Sequence, residues 1–151
     1  MPYSAEPIPS ATVKSMLDGN WNEYSGQIPK PTLIDVNEGE IAIRFDLNRL
    51  QSCIIIRIDI SGETETLRGS GWNYLDRVQV VELMLYTKIS RQRLYDILQE
   101  IRRVCHNQMH ELTSYQVVRY RGFTELTNEQ QNVWQGRVTL SLENNRLVTD
   151  T

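Results

Sequence analysis

His106 and His110 are the only histidines of the chain. They stand four residues apart, a spacing that on a helix can bring two imidazoles to one metal ion. A third ligand is needed, and the nearest candidates are Cys105 and Glu111. On a helix Cys105 points about 100° away from His106 and joins an apolar stripe, so the cluster does not close. The two histidines are read instead as exposed side chains near a helix C-terminus, where partial positive charge is favoured. Nucleophilic chemistry lacks its parts as well. Cys53 and Cys105 sit among apolar neighbours without an activating base, and no serine occupies a G-x-S-x-G elbow. Gly69-Ser70-Gly71 is too short for a phosphate loop, lacks its lysine, and precedes a strand where a helix is required. Asp59, Glu63 and Glu65 could be imagined as an acid and base pair, but in a polar, glycine-bearing stretch they serve to keep a loop solvated. No catalytic residue, cofactor-binding residue, cofactor or metal ligand is expected, and the chain is not expected to be an enzyme.

One mixture of side chains suits a different role. Tyr115, Arg119, Tyr120, Arg121 and Phe123, with Arg102 and Arg103, combine cations with aromatic rings on which single-stranded bases could stack. Against it, 16 basic and 19 acidic side chains leave a net charge of −3, which predicts no overall attraction to nucleic acid or to anionic lipid. A small single-stranded nucleic-acid module stays open as an alternative, as does an interaction domain of a host protein. Met1–Ser10 has no positively charged start followed by an apolar run, and the longest apolar stretch, Cys53–Ile60, is interrupted by Arg57 and Asp59. Neither a secretion signal nor a membrane span is expected. Two cysteines far apart, each in apolar surroundings, read as free buried thiols and fit a reducing compartment.

The elements that would position these residues follow from the hydrophobic period. With 151 residues and 40% apolar side chains, one domain over residues 10–145 is expected, preceded by an extended proline-rich arm at 1–9 and followed by a flexible tail at 146–151. Ser10 is a suitable N-cap for a short helix whose Val13, Met16 and Leu17 share one face and which stops at Gly19 and Asn20. Asn20–Pro31, with its lone Trp21, reads as a surface connection. Thr32–Val36 and the alternating Ile41, Ile43 and Phe45 predict a hairpin around Asn37-Glu38-Gly39. Cys53–Ile60 predicts an inner strand, and Ser61–Asn73 a long mobile loop. Arg77–Thr87 predicts a strand whose apolar phase shifts between Val80 and Leu83, as across a β-bulge.

Ser90 then caps a helix in which Leu94, Ile97, Leu98, Ile101, Val104, Cys105 and Met109 recur at helical spacing. Arg91, Arg93, Asp96, Gln99, Glu100, Arg102 and Arg103 are assigned to its solvated face. Tyr115–Phe123 and Val133–Glu143 predict two further strands. The expected fold is α+β: an antiparallel or mixed, bent β-sheet with one long amphipathic helix packed on a face and a short N-terminal helix.

Asp76-Arg77-Val78, then Tyr86-Thr87, then Ser90–Val104 form a strand ending in threonine, a turn, a Ser-Arg-x-x-Leu helix start and a Glu-Ile-Arg-Arg helix end. With the strands Tyr115–Phe123 and Trp134–Leu142 downstream, this order resembles the tail terminator and tail-completion (neck) proteins of tailed phages and archaeal tailed viruses, over roughly residues 30 to 145. The resemblance rests on the order of elements. It implies a structural virion protein, located in the tail or neck and assembled in the host cytoplasm, that caps the tail tube as a ring and forms part of the head-tail junction. The implied partners are further copies of the chain, usually six in a ring, the tail-tube protein and the head connector or adaptor. Genome DNA would pass the lumen without specific binding, and no membrane is involved. The longer proline-rich start leaves another neck or connector protein as an alternative. The residues placed at protein contacts on this reading are Glu63, Glu65, Arg68, Trp72, Tyr74, Arg91, Arg93, Arg102 and Arg103.

Overall fold

Leucine, isoleucine and valine at three- and four-residue spacing from Leu94 to Val104 must cover one side of a helix, and they do so in a computed structural model of the chain. The structure describes residues 8–22, 28–35, 51–68, 74–112, 117–127 and 133–147, and of 59–68, 74–76 and 145–147 the backbone alone. Its elements in chain order are α1 (Pro9–Asn20), β1 (Thr32–Asp35), β2 (Ser52–Arg68), β3 (Tyr74–Thr87), α2 (Arg91–Asn107), β4 (Val117–Glu125) and β5 (Trp134–Leu147). The fold is α+β, two helices with one five-stranded mixed sheet of order β1-β2-β3-β5-β4. β1 runs parallel to β2, and every other neighbouring pair is antiparallel.

Strand alternation sends every second residue to the core, and the register aligns these residues into rows across the sheet. Ile56 stands opposite Leu83, Leu83 opposite Val138, and Val138 opposite Phe123. The neighbouring row runs Val81, Leu140 and Tyr120. Against these rows pack Val13, Met16 and Leu17 of α1 and Leu94, Ile97, Leu98, Ile101, Val104 and Cys105 of α2. A second, smaller cluster of Cys53 and Ile55, joined by Ile34, Met84 and Tyr86, lies on the opposite side of the same strands.

Several expectations are corrected. The first helix is capped by Ile8 in an extended conformation, with Pro9 at its first position, and Ser10 lies inside it, fully buried. Proline supplies the helical φ and lacks the amide that a cap would satisfy, so it starts the helix without a serine. Trp21 is a core residue, with its indole Nε1 donating to the Ile28 carbonyl at 2.9 Å. A buried indole with its one donor satisfied belongs inside whatever the polarity of its neighbours in sequence.

The loop expected over Ser61–Asn73 is strand as far as Arg68, and Glu63–Arg68 pair with Gln79–Tyr74. Backbone ladders do not require apolar alternation, and Thr64 and Thr66 favour extended geometry. Residues 69–73 lie outside the described residues. The irregularity expected inside β3 falls elsewhere: β3 runs against β5 in unbroken register from Tyr74↔Leu147 to Thr87↔Trp134. It is β2 that carries surplus residues, between Ile58↔Val81 and Glu63↔Gln79. Val78 and Val80 are simply on the face opposite Val81, Leu83 and Leu85. β5 continues to Leu147, into the segment expected as a tail, because it pairs there with Tyr74 and Leu75; residues 148–151 lie outside the described ones. The strand expected at Ile41–Phe45 also lies outside them, and Thr32–Asp35 is found in parallel pairing with β2.

A second irregularity lies in β4, where Tyr120↔Leu140 is followed by Gly122↔Thr139, leaving Arg121 as an extra residue. Gly122 has a φ of 158°, a region open mainly to glycine. The bulge explains how Tyr120 and Phe123, three apart on one strand, both pack on the core.

Ile101 is fully buried at the centre of the α2 face. Ile101→Asp is expected to cost about 3 kcal/mol or more, a large part of the stability of a domain of this size. Thermal unfolding followed by circular dichroism checks this; an unchanged midpoint would remove α2 from the core.

Candidate interaction surfaces

The polar side chains of α2 divide into two groups that sequence alone had joined. Arg91 and Arg102 are exposed, whereas Arg93 and Glu100 are buried. This corrects the assignment of Arg93 and Glu100 to the solvated face. Residues 93, 97, 100 and 104 form one line along a helix, beside the line 94, 98, 101 and 105, so both charges flank the apolar stripe.

Each of the two serves the segment that leaves α1. Arg93 Nη2 donates to the Pro29 carbonyl at 2.6 Å, and its Nη1 has no partner. Burial lowers the pKa of the Arg93 guanidinium from its usual value, opposed by nearby Asp96. Glu100 accepts the Asn22 backbone N–H at 3.0 Å through Oε1 and Arg103 Nη1 at 3.1 Å through Oε2. Asn22 in turn accepts the Ile28 amide on its side-chain oxygen at 2.9 Å.

The other expected contact residues are dispersed. Arg91 Nε pairs with Glu125 Oε1 at 2.9 Å, and Arg102 lies over the Tyr120 ring at 5.1 Å. Glu63, Glu65 and Arg68 lie on β2, with Arg68 paired in register to Tyr74 on β3. Trp72 lies outside the described residues. The structure thus joins Arg68 with Tyr74 and Arg103 with Glu100, and does not gather the nine residues on one element.

Residues that the sequence reading passed over are the exposed apolar Ile89, Tyr95 and Leu126. Ile89 lies just ahead of α2, Leu126 just past β4, and Tyr95 meets Phe123 edge-on at 5.7 Å between ring centroids. No periodic signal marks Ile89 or Leu126, since each falls between elements.

The two histidines do not share a helix face: α2 ends at Asn107, His106 is exposed with its ring edge-on to Tyr120, and His110 lies in the following turn. Among the described residues no group of three or more metal-ligating side chains is present. No helix among them is long and apolar enough to cross a membrane. Arg119 and Arg121, central to the nucleic-acid alternative, both pair with Glu143 at 3.1 and 3.0 Å. Comparison with models of known protein families finds no match, and comparison with curated protein sequences finds none either.

Two outcomes follow from the buried groups. Glu100→Ala strands the Asn22 amide and is expected to cost about 1 to 3 kcal/mol. Arg103→Ala takes the hydrogen bond from Oε2 of the unexposed Glu100 carboxylate and is expected to cost on the order of 3 kcal/mol. Urea unfolding of the two variants checks both values, and a loss below about 1 kcal/mol in Arg103→Ala would contradict the second.

Cys53 and Cys105 are free and buried, and burial pushes both thiols up to about 12 from 9.0. The folded protein therefore keeps these protons at a pH where the unfolded chain has released them, so stability falls as pH rises from about 9 toward about 12. The urea midpoint should drop between about pH 8 and about pH 10.5, and drop less in Cys53→Ala/Cys105→Ala. Equal drops would assign the effect to other groups.

Proposed function

We propose that this protein is a non-enzymatic assembly protein of the tail terminator kind, which caps a viral tail tube as a ring and works through protein contacts. The reading takes α2 as the long amphipathic helix laid across a bent sheet, as the order of elements in that family implies. Its main support is the distal ladder of β2, β3 and β5. The ladder continues to Arg68, Tyr74 and Leu147, past Ile56, Val81 and Leu142, the last core side chains of these strands among the described residues. On β3 the residues 74–80 lie beyond Val81, and a strand of that length spans about 23 Å, enough to reach a neighbouring subunit. A closed ring needs a heterologous interface, and a strand extension with exposed polar backbone is one way to build it. On this reading Glu63, Glu65, Arg68, Trp72 and Tyr74 contact the next copy or the tail-tube protein, and the exposed Arg91 and Arg102 supply polar rim contacts.

The nucleic-acid alternative is weakened by the pairing of Arg119 and Arg121 with Glu143, because a phosphate would have to displace a carboxylate already in place.

Native mass measurement is expected to find a closed ring, usually of six copies. Glu63→Lys/Glu65→Lys should reduce ring formation and tail-tube binding without lowering the melting midpoint. A monomer that ignores tail-tube protein and binds single strands with steep salt dependence, losing this with Arg119→Ala/Arg121→Ala, would replace the proposal with its alternative.

A further inference from the structure

β4 is the last strand of the sheet, with β5 as its neighbour on one side. Along such a strand the backbone groups of successive residues alternate between the paired side and the open side. The Leu126 amide donates toward β5, to the Gln135 carbonyl at 2.8 Å, and the Val118 amide donates away from it, to the Met109 carbonyl at 2.9 Å. Counted inward from these two ends across the Arg121 bulge, Tyr120, Phe123 and Glu125 turn their N–H and C=O groups to the open side. Met109 closes the edge at Val118, and no backbone group takes the next three among the described residues.

Helix α2 runs alongside this edge. Arg91 pairs with Glu125, Tyr95 meets Phe123, and Arg102 and His106 meet Tyr120, so one line of exposed α2 side chains overlooks the open edge. A strand edge beside a helix suits an extended segment, whose backbone pairs with the edge while its alternate side chains reach the helix. The charge of the line selects among such segments. Arg91, Tyr95, Gln99, Arg102 and His106 include no acid. Arg91 is committed to Glu125, whereas Arg102 lies over the Tyr120 ring with no carboxylate beside it among the described residues. Pairing of β4 with β4 of a second copy would set two such cationic lines side by side, so an acidic partner is favoured.

We infer that the β4 edge is a docking site for an extended acidic segment of a partner protein, added as a strand antiparallel to β4 beside α2. On β5 the residues opposite Tyr120 and Phe123 are Leu140 and Val138, two apart in spite of the bulge, and an added strand meets the same spacing. Two alternate side chains, about 7 Å apart, then face α2. One, apolar, packs against Phe123 and Tyr95; the other, a carboxylate, meets Arg102. An antiparallel strand reaches Phe123 before Tyr120, so the recognised pattern is apolar-x-acidic. This inference does not depend on the ring-forming role.

The test is titration of the full chain with the peptide acetyl-Ser-Thr-Val-Thr-Glu-Thr-Ser-amide, followed by backbone amide resonances. Saturable shifts are expected at Tyr120 to Glu125 and at Tyr95 to His106, with slower hydrogen exchange of the Tyr120 and Phe123 amides. Replacing the peptide's glutamate by lysine should weaken binding about tenfold or more, as should Arg102→Gln. N-methylation of the peptide's valine and glutamate, whose amides face β4 in this pairing, should abolish it. No saturable shift would overturn the inference, as would equal affinity for the lysine or N-methylated peptide or binding unchanged in Arg102→Gln. If Arg102→Gln does not fold, the two peptide variants decide by themselves. Shifts of the same amides on raising protein concentration without peptide would assign the edge to a second copy and overturn the choice of partner.

Discussion

A carboxylate with no solvent exposure, Glu100, holds the two helices in their relation to the sheet. A buried charge is tolerated only when hydrogen bonds replace its lost water. Glu100 obtains one from the backbone of Asn22 and one from Arg103. Asn22 sits at a positive φ of 65°, a conformation that asparagine tolerates better than most residues, and turns its side chain to the Ile28 amide. Trp21 closes the arrangement from the other side by bonding the Ile28 carbonyl. The chain leaving α1 is thus fixed to the middle of α2, which brings both Trp21 and Ile28 into the core.

This clamp also marks the limit of what residue patterns could reveal. The stripe from Leu94 to Cys105 was legible because apolar residues recur with the helical period over about three turns. Arg93 and Glu100 fall on the flank of that stripe, and nothing in their own identity says that a backbone amide and a carbonyl await them 78 and 64 residues away in sequence. Charged residues are assigned to water by default, and that default fails where a distant backbone group supplies the hydrogen bond. Trp21 was misplaced for the same reason, since its partner Ile28 lies beyond a polar connection.

The strands show a related division. The coarse α+β class was readable, and so was an inner strand at Cys53, because apolar residues on both faces require cover on both sides. Strand lengths and irregularities were not. The ladder over Glu63–Arg68 is made by backbone pairing with β3, so polarity suggested a loop where there is strand. The phase change in β3 suggested a bulge, but Val78 and Val80 only alternate to the other face. The true one-residue bulge lies in β4, and its trace in sequence was Gly122 between Tyr120 and Phe123. A phase change has two causes, insertion or a switch of face, and only the partner strand decides between them.

The contact residues were the least legible because their types are ambiguous. Arginine on a surface reads equally as a polyanion contact, a protein contact or an internal ion pair. Here Arg57, Arg91, Arg119 and Arg121 each face a carboxylate of a neighbouring strand or strand end: Glu82, Glu125 or Glu143. Charges compensated in this way contribute little net field, so a polyanion gains less from them than their number suggests. A protein partner asks for something else: exposed apolar side chains with a polar rim. Ile89, Tyr95 and Leu126, set around the start of α2 and the end of β4 with the Arg91–Glu125 pair among them, have that composition. That composition is what the proposed role in protein contacts would draw on.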